Sequence, residues 1–265
     1  MIDIFFIYAA VQIVLESLPI SSSGHLALVS CWCAQHGCAV ELSRSFEYLL
    51  HGPTLIMLAA YSVRLWLPLV QNLWQRRVVI KNMIIYVLCA DSITTVVYAG
   101  VQAFVAPQMP LWFGFCITGG LLLSLRWCSA HDTLHVPVVY KSVTLRTLCL
   151  LGVVQGLAGL PGVSRFASTY VAGRWLHLTP RKSLFVSIML QWPLMFGGFL
   201  VGLLRAHTDS STVWFTDVHN ILLMSVCAVL AYFVLWFVQW LLERERLWLL
   251  GPYLMIPALL AFVWC

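Results

Sequence analysis

The chain has 265 residues, of which 61% are hydrophobic and 9% charged, with a formal net charge of +5 and a mean hydropathy of +0.90. A typical soluble domain carries about 25% charged residues, so a water-soluble globule of this composition would lack polar surface. The Lys and Arg residues are scattered through short loops, which excludes a nucleic-acid-binding reading and points to a polytopic membrane protein.

A helix needs about 20 mostly apolar residues to cross a bilayer. Residues 4–35 do not supply one, because "ESLPISSSGH" (residues 16–25) breaks the apolar run near its middle. Each half is too short to cross. The region therefore predicts a helix in, a loop inside the membrane and a helix back out, a shape tolerated only where protein or water satisfies the loop backbone. Spans are predicted at roughly 48–69, 80–105 and 110–128. Residues 146–177 are broken in the same way around "LPGVSR" (160–165), and further spans are predicted at roughly 184–204, 219–242 and 247–265.

This order is an internal duplication. Three spans is an odd number, so the second half starts on the opposite side of the membrane from the first. The expectation is an all-α polytopic membrane protein forming one integral domain, 1–265, whose halves 1–129 and 130–265 are inverted repeats. Each half is a re-entrant helix-loop-helix plus three transmembrane helices, with the broken loops meeting near the midplane. The loops agree in pattern: residues 19–22 and 161–164 both read Pro-x-x-Ser, and Gln12 and Gln155 lie seven and six residues before those prolines.

Loop charge orients the chain independently of segment length. Under this topology Arg76, Arg77, Lys81, Arg126, Lys141, Arg146, Arg174, Arg181, Lys182, Arg244 and Arg246 fall on one side, eleven of the 15 basic residues, while Arg44 and Arg205 fall on the other. The basic side is then cytoplasmic, and both termini and the first hairpin's entrance face outward.

Four of the nine cysteines (Cys89, Cys116, Cys149 and Cys227) lie in apolar runs and read as small buried hydrophobes. Cys31, Cys33 and Cys38 lie near His36, but C-x-C-x4-C matches no standard zinc spacing. A disulfide such as Cys33–Cys38 is open to that loop if it faces an oxidising compartment. Asp91, deep in its span, reads as a structural hydrogen-bonding partner rather than part of a substrate path.

A charge at mid-membrane costs about 2.5–3.5 kcal/mol even on the lenient insertion scale. Both breaks accept such residues. The first carries Gln12, Glu16, Ser21, Ser22, Ser23, Gly24 and His25; the second carries Gln155, Gly162, Ser164, Arg165, Ser168 and Thr169. Gln12 and Glu16 are four apart and share a helical face. A carboxylate with an amide oxygen makes a weak hard-oxygen site for Mg²⁺ or Ca²⁺. Hydroxyls, an imidazole, a guanidinium and helix N-termini around one cavity suit phosphoryl transfer. Singly, Glu16 reads equally well as a paired buried acid, His25 as a satisfied core histidine and the Ser-Gly break as a kink. Two breaks in matching positions favour function.

"QIVLESLPISSSGH" (12–25) and "LPGVSRFAST" (160–169) resemble the two signature regions of the BacA-type undecaprenyl-diphosphate phosphatases. That family has Glu/Gln-x-x-x-Glu followed by Pro-x-Ser-Ser-x-Gly-His, and later Pro-Gly-x-Ser-Arg-Ser-x-x-Thr. Gln12, Glu16, Pro19, Ser21, Ser22, Gly24 and His25 match the first; Pro161, Gly162, Ser164, Arg165 and Thr169 match the second. "FEYLLHG" (46–52) is similar to a further family stretch. Phe166 and His51 depart from it, standing where serine and glutamine are usual.

The resemblance implies metal-assisted hydrolysis of undecaprenyl diphosphate to undecaprenyl phosphate and inorganic phosphate at the outer face of the bacterial inner membrane. That reaction recycles the carrier for cell-wall synthesis and gives bacitracin resistance. Glu16 and Gln12 are then expected to hold the divalent ion, and Arg165 the terminal phosphate. Ser22 is the leading nucleophile, activated by His25 or Glu16; direct attack by His25, or by water, stays open. Ser21, Ser23, Gly24, Gly162, Ser164, Thr169 and Gln155 are expected around the substrate. The alternative function is a transporter or flippase of the lipid carrier, which shares the broken-helix design but cleaves nothing. A homodimer through small residues at Gly197, Gly198 and Gly202 is open, although internal packing explains those glycines equally well.

Overall fold

The computed structural model describes residues 4–37, 43–70, 73–128, 143–206 and 210–265, and every regular element among them is helical. The first break separates α1 (Ile4–Leu15) from α2 (Ser22–Gln35), and the second separates α7 (Leu145–Leu157) from α8 (Arg165–Trp175). Proline ends each helix at these places because it has no N–H to continue the ladder and restrains the residue before it. Serine starts the next one. The Ser21 Oγ accepts from the Gly24 N–H at 3.2 Å, and the Ser164 Oγ accepts from the Ala167 N–H at 3.2 Å.

Four helical stretches are long and apolar enough to cross a membrane: Ile80–Phe104, Pro180–Arg205, Val218–Glu243 and Leu247–Trp264. They belong to α5 (Leu73–Phe104), α9 (Pro180–Arg205), α10 (Val218–Glu243) and the final pair α11 (Leu250–Tyr253) and α12 (Met255–Trp264). Side chains on their outer surfaces are apolar, with Val96, Phe233, Trp236, Ile256 and Phe262 between 58% and 74% exposed. Such a surface suits lipid.

Two expected spans differ. The segment 48–69 divides at Leu50 into α3 (Arg44–Leu49) and α4 (His51–Val70). Pro53, in the first turn of α4, cannot donate to the preceding turn, so the helix restarts there. The segment 110–128 gives α6 (Leu111–Ser124) and a closing 3₁₀ turn, Leu125–Trp127, together shorter than a full span.

The packing brings the two breaks together. Helix α1 lies on α10 and α7 on α5, while α2 lies on α12 and α8 on α6. One apolar core, including Tyr8, Ile13, Phe46, Phe115, Leu122, Leu235 and Leu254, joins the first break to the C-terminal helices. A second, including Ala90, Leu151 and Leu190, joins α5, α7 and α9.

Cys31 of α2 is bonded to Cys265, 234 residues away in sequence. The expected Cys33–Cys38 pairing lies outside the described residues, because Cys38 does. Among the described residues no three His, Cys, Asp or Glu side chains gather as a metal cluster. Asp91 corrects an expectation: both its carboxylate oxygens are buried with no hydrogen-bond partner, because its helix packs on apolar side chains there. A Cβ on Gly198 or Gly202 would press on His51 or on Leu49 and Tyr48. Gly198 and Gly202 therefore serve internal packing, whereas a Cβ on Gly197 would meet nothing within 4 Å.

Candidate active site

Glu16 sits just past the end of α1, its backbone N–H donating to the Gln12 carbonyl at 3.0 Å. Its side chain is 4% exposed and has four polar neighbours. Ser22 donates its hydroxyl to Oε2. Gln12 Nε2 donates to the same oxygen at 3.1 Å. Gln191 Nε2, from α9, donates to Oε1 at 3.2 Å. Arg165 Nη2 approaches Oε1 at 3.7 Å, and its side chain remains 34% exposed. Both carboxylate oxygens are thus met by donors, which offsets the cost of burying them.

A cleft of ≈ 20 Å³ opens beside these groups, lined by Glu16, Ser21, Ser22, Ser23, Ser164 and Arg165, with Leu15, Leu18, Val163 and Phe166 as its apolar wall. That volume holds about one water-sized group. The Arg165–Glu16 ion pair beside it is long, at 3.7 Å.

The loops touch through glycine. A Cβ on Gly24 would lie 2.9 Å from the Gly162 Cα, and Gly162 itself has φ +76°. Only glycine permits both the contact and the left-handed turn. Ser21 adopts φ 69° with a side chain, a strained conformation of the kind found at functional sites.

Sequence reasoning placed Glu16, Ser21, Ser22, Ser23, Ser164 and Arg165 at one site, and the structure brings all six together. Gly24 and Gly162 lie behind the cleft as its packing contact. Gln12 reaches the site through Glu16, and its Oε1 is buried without a hydrogen-bond partner. Three expected residues stand elsewhere. Gln155 donates to the Leu190 carbonyl of α9 at 3.0 Å. Thr169 donates back to the Arg165 carbonyl of its own helix at 2.9 Å. His25 turns from the cleft to Tyr253. Sequence reasoning missed Gln191, which resembles an isolated polar residue in an apolar span. It also missed Thr118, whose Oγ1 accepts from the Ser164 N–H at 3.0 Å and lies 3.2 Å from the Gly162 carbonyl.

A family model described as bacitracin resistance protein BacA matches residues 5–260. The chain belongs to the BacA family. Curated BacA-family relatives share its length. A protein of Rhodopirellula baltica named undecaprenyl-diphosphatase is 28% identical over 258 residues, 95% of this chain and 93% of that protein. One of Treponema denticola with the same name is 29% identical over 261 residues, 94% and 91% of the two chains. One of Pelotomaculum thermopropionicum, also so named, is 31% identical over 191 residues, 70% and 69% of the two. The departures from the BacA pattern have clear places here. Phe166 is 5% exposed and forms part of both the cleft wall and the core. His51 is buried against Gly198, within electrostatic reach of Glu16 and Arg165.

Proposed function

We propose that this chain hydrolyses undecaprenyl diphosphate to undecaprenyl phosphate and inorganic phosphate. The observation that carries the reading is the Ser22 hydroxyl bonded to the buried Glu16 carboxylate, with the Arg165 guanidinium beside them across the two facing breaks. The names of full-length relatives support the substrate.

Ser22 Oγ attacks the terminal phosphorus, and its proton passes to Glu16 Oε2. The bond from phosphorus to the bridging oxygen breaks, and undecaprenyl phosphate leaves with that electron pair. Glu16 releases its proton to solvent. Water then attacks the phosphoserine, giving one proton to Glu16. Glu16 returns that proton to Ser22 as the bond between Oγ and phosphorus breaks. Arg165 leaves Glu16 for the phosphate and balances the charge on its equatorial oxygens. The Ser164 Oγ accepts from the α8 N-terminus, so its own proton is free to point into the cleft.

The donor set fits a hard divalent cation. Glu16 and the unpartnered Gln12 Oε1 would hold Mg²⁺ or Ca²⁺, with diphosphate oxygens completing the shell. The ion would supply charge neutralisation to the diphosphate.

The architecture we propose is a single domain of two inverted repeats, 1–129 and 130–265, with re-entrant breaks. Its support is the exchange of partners: α1 lies on α10 as α7 lies on α5, and α2 on α12 as α8 on α6. The cleft opens to the outer side of the bacterial inner membrane. Arg181 pairs with Glu243 at 3.3 Å, and Arg126 lies over Trp248 at 5.4 Å, near the start of the last span. The Cys31–Cys265 bond lies at that span's other end. Basic residues favour the cytoplasm and disulfides an oxidising compartment, so the two signals agree.

The test is phosphate release from undecaprenyl diphosphate by purified protein in detergent, with Mg²⁺, with Ca²⁺ and with chelator. Metal-dependent release supports the reading. Lipid binding without release by folded protein would replace it with a carrier transporter.

A further inference from the structure

His25 is absent from the walls of the cleft that holds Glu16, Ser22 and Arg165. Its ring lies between the edge of Phe115, with centroids 5.1 Å apart, and the face of Tyr253, 6.0 Å away and tilted by 6°. The His25 Nδ1 lies 2.8 Å from the Ser21 carbonyl oxygen. A carbonyl only accepts, so Nδ1 carries the proton. In the neutral ring Nε2 is then the acceptor, and the Tyr253 hydroxyl donates to it across 3.2 Å. The Ser21 carbonyl belongs to the residue with φ 69°, whose conformation aims the first turn of α2 and therefore Ser22.

We propose that Tyr253 is a positioning residue that acts through His25. Its hydroxyl fixes the imidazole, the imidazole pins the strained Ser21 carbonyl, and that turn holds the Ser22 hydroxyl on Glu16. His25 is a strut in this chain of contacts, neither the base nor the nucleophile. The inference rests on the hydrolysis and the Ser22–Glu16 assignment given above. A second observation supports it: the C-terminal helices are tied to α2 beyond His25, by the Cys31–Cys265 bond and by Gln35 Nε2 donating to the Trp264 carbonyl at 3.0 Å. The helix pair that presents Tyr253 is thus held in register with the helix that presents His25.

Tyr253→Phe keeps the stacked ring and removes the donor. We expect kcat to fall about tenfold with KM within about twofold of wild type, as for lost alignment rather than lost binding. His25→Gln retains an N–H for the Ser21 carbonyl but cannot take a proton or attack phosphorus, and it should turn over well above Ser22→Ala. Tyr253→Phe should cost nothing further in the His25→Gln background. A folded His25→Gln protein as inactive as Ser22→Ala would overturn the proposal. So would an unaltered kcat in Tyr253→Phe. One readout is independent of turnover. ¹⁵N shifts of histidine-labelled protein, with His25 identified by its loss in His25→Gln, should show the Nδ1–H tautomer in wild type and a shift of the Nε2 resonance in Tyr253→Phe, where that nitrogen loses its donor. An Nε2–H tautomer in wild type contradicts the proposal whether or not the lipid is hydrolysed, whereas absent hydrolysis with the Nδ1–H tautomer present defeats only the reading beneath it.

Discussion

Glu16 is the residue on which the candidate site converges. It accepts from Gln12, Ser22 and Gln191 and faces Arg165. Glu16→Gln should therefore lower kcat by about a thousandfold, within the range seen when a general base is lost. Gln191→Leu removes one hydrogen bond to a charged group, worth about 1.5–3 kcal/mol, and should cost at least about tenfold in kcat/KM by the same phosphate-release assay. Phe166→Ser would restore the hydroxyl usual in the family. Phe166 is also core, at 5% exposed, so that exchange should destabilise the fold by about 3 kcal/mol through the cavity it leaves. A lowered Tm, whatever happens to the rate, is the expected result.

At this scale the sequence was most legible where polar residues had no other excuse. Glu16, Ser22 and Arg165 interrupt apolar runs in matching places, so their cost announced them. Gln191 gave no such signal, because one amide in a long apolar helix is ordinary packing. Direction was also hidden. Nothing in "SSSGH" tells whether the imidazole faces the acid or turns to a tyrosine 228 residues later.

Among the elements, the contact between the breaks decides whether the acid and the guanidinium belong to one site. Gly24 stands against the Gly162 Cα, with Phe115 Cζ 2.9 Å from where a Cβ would go. Gly24→Ala must push the loops apart. Turnover should fall more than about tenfold while helical content, read by circular dichroism, stays as in wild type. Both breaks were legible from Pro, Gly and Ser within runs too short to cross. The division of the segment 48–69 at Leu50 was not. Hydropathy is continuous through it, and only Pro53 marks the restart, a residue equally compatible with a helix's first turn and with a kink.

For the whole molecule, two independent chemistries, loop charge and the disulfide, argue for the proposed orientation. His219, at the start of α10 and on the outer side in the proposed orientation, has a 90% exposed side chain. His219→Cys should react with a membrane-impermeant maleimide in intact spheroplasts, and Lys81→Cys only after permeabilisation. The reverse pattern would place the cleft on the cytoplasmic face. The two broken regions and four of the spans were legible from segment lengths. The Cys31–Cys265 link was not, because pairing across 234 residues depends on how α12 lies on α2.

The central claim is that Ser22, bonded to Glu16, is the group that attacks the diphosphate. The most direct measurement is rapid-quench trapping with undecaprenyl diphosphate radiolabelled at its terminal phosphate. A burst of label on wild-type protein, mapped to Ser22 and absent in Ser22→Ala, is the predicted result. Full turnover with no covalent label on any quench timescale would contradict it and give the attack to water.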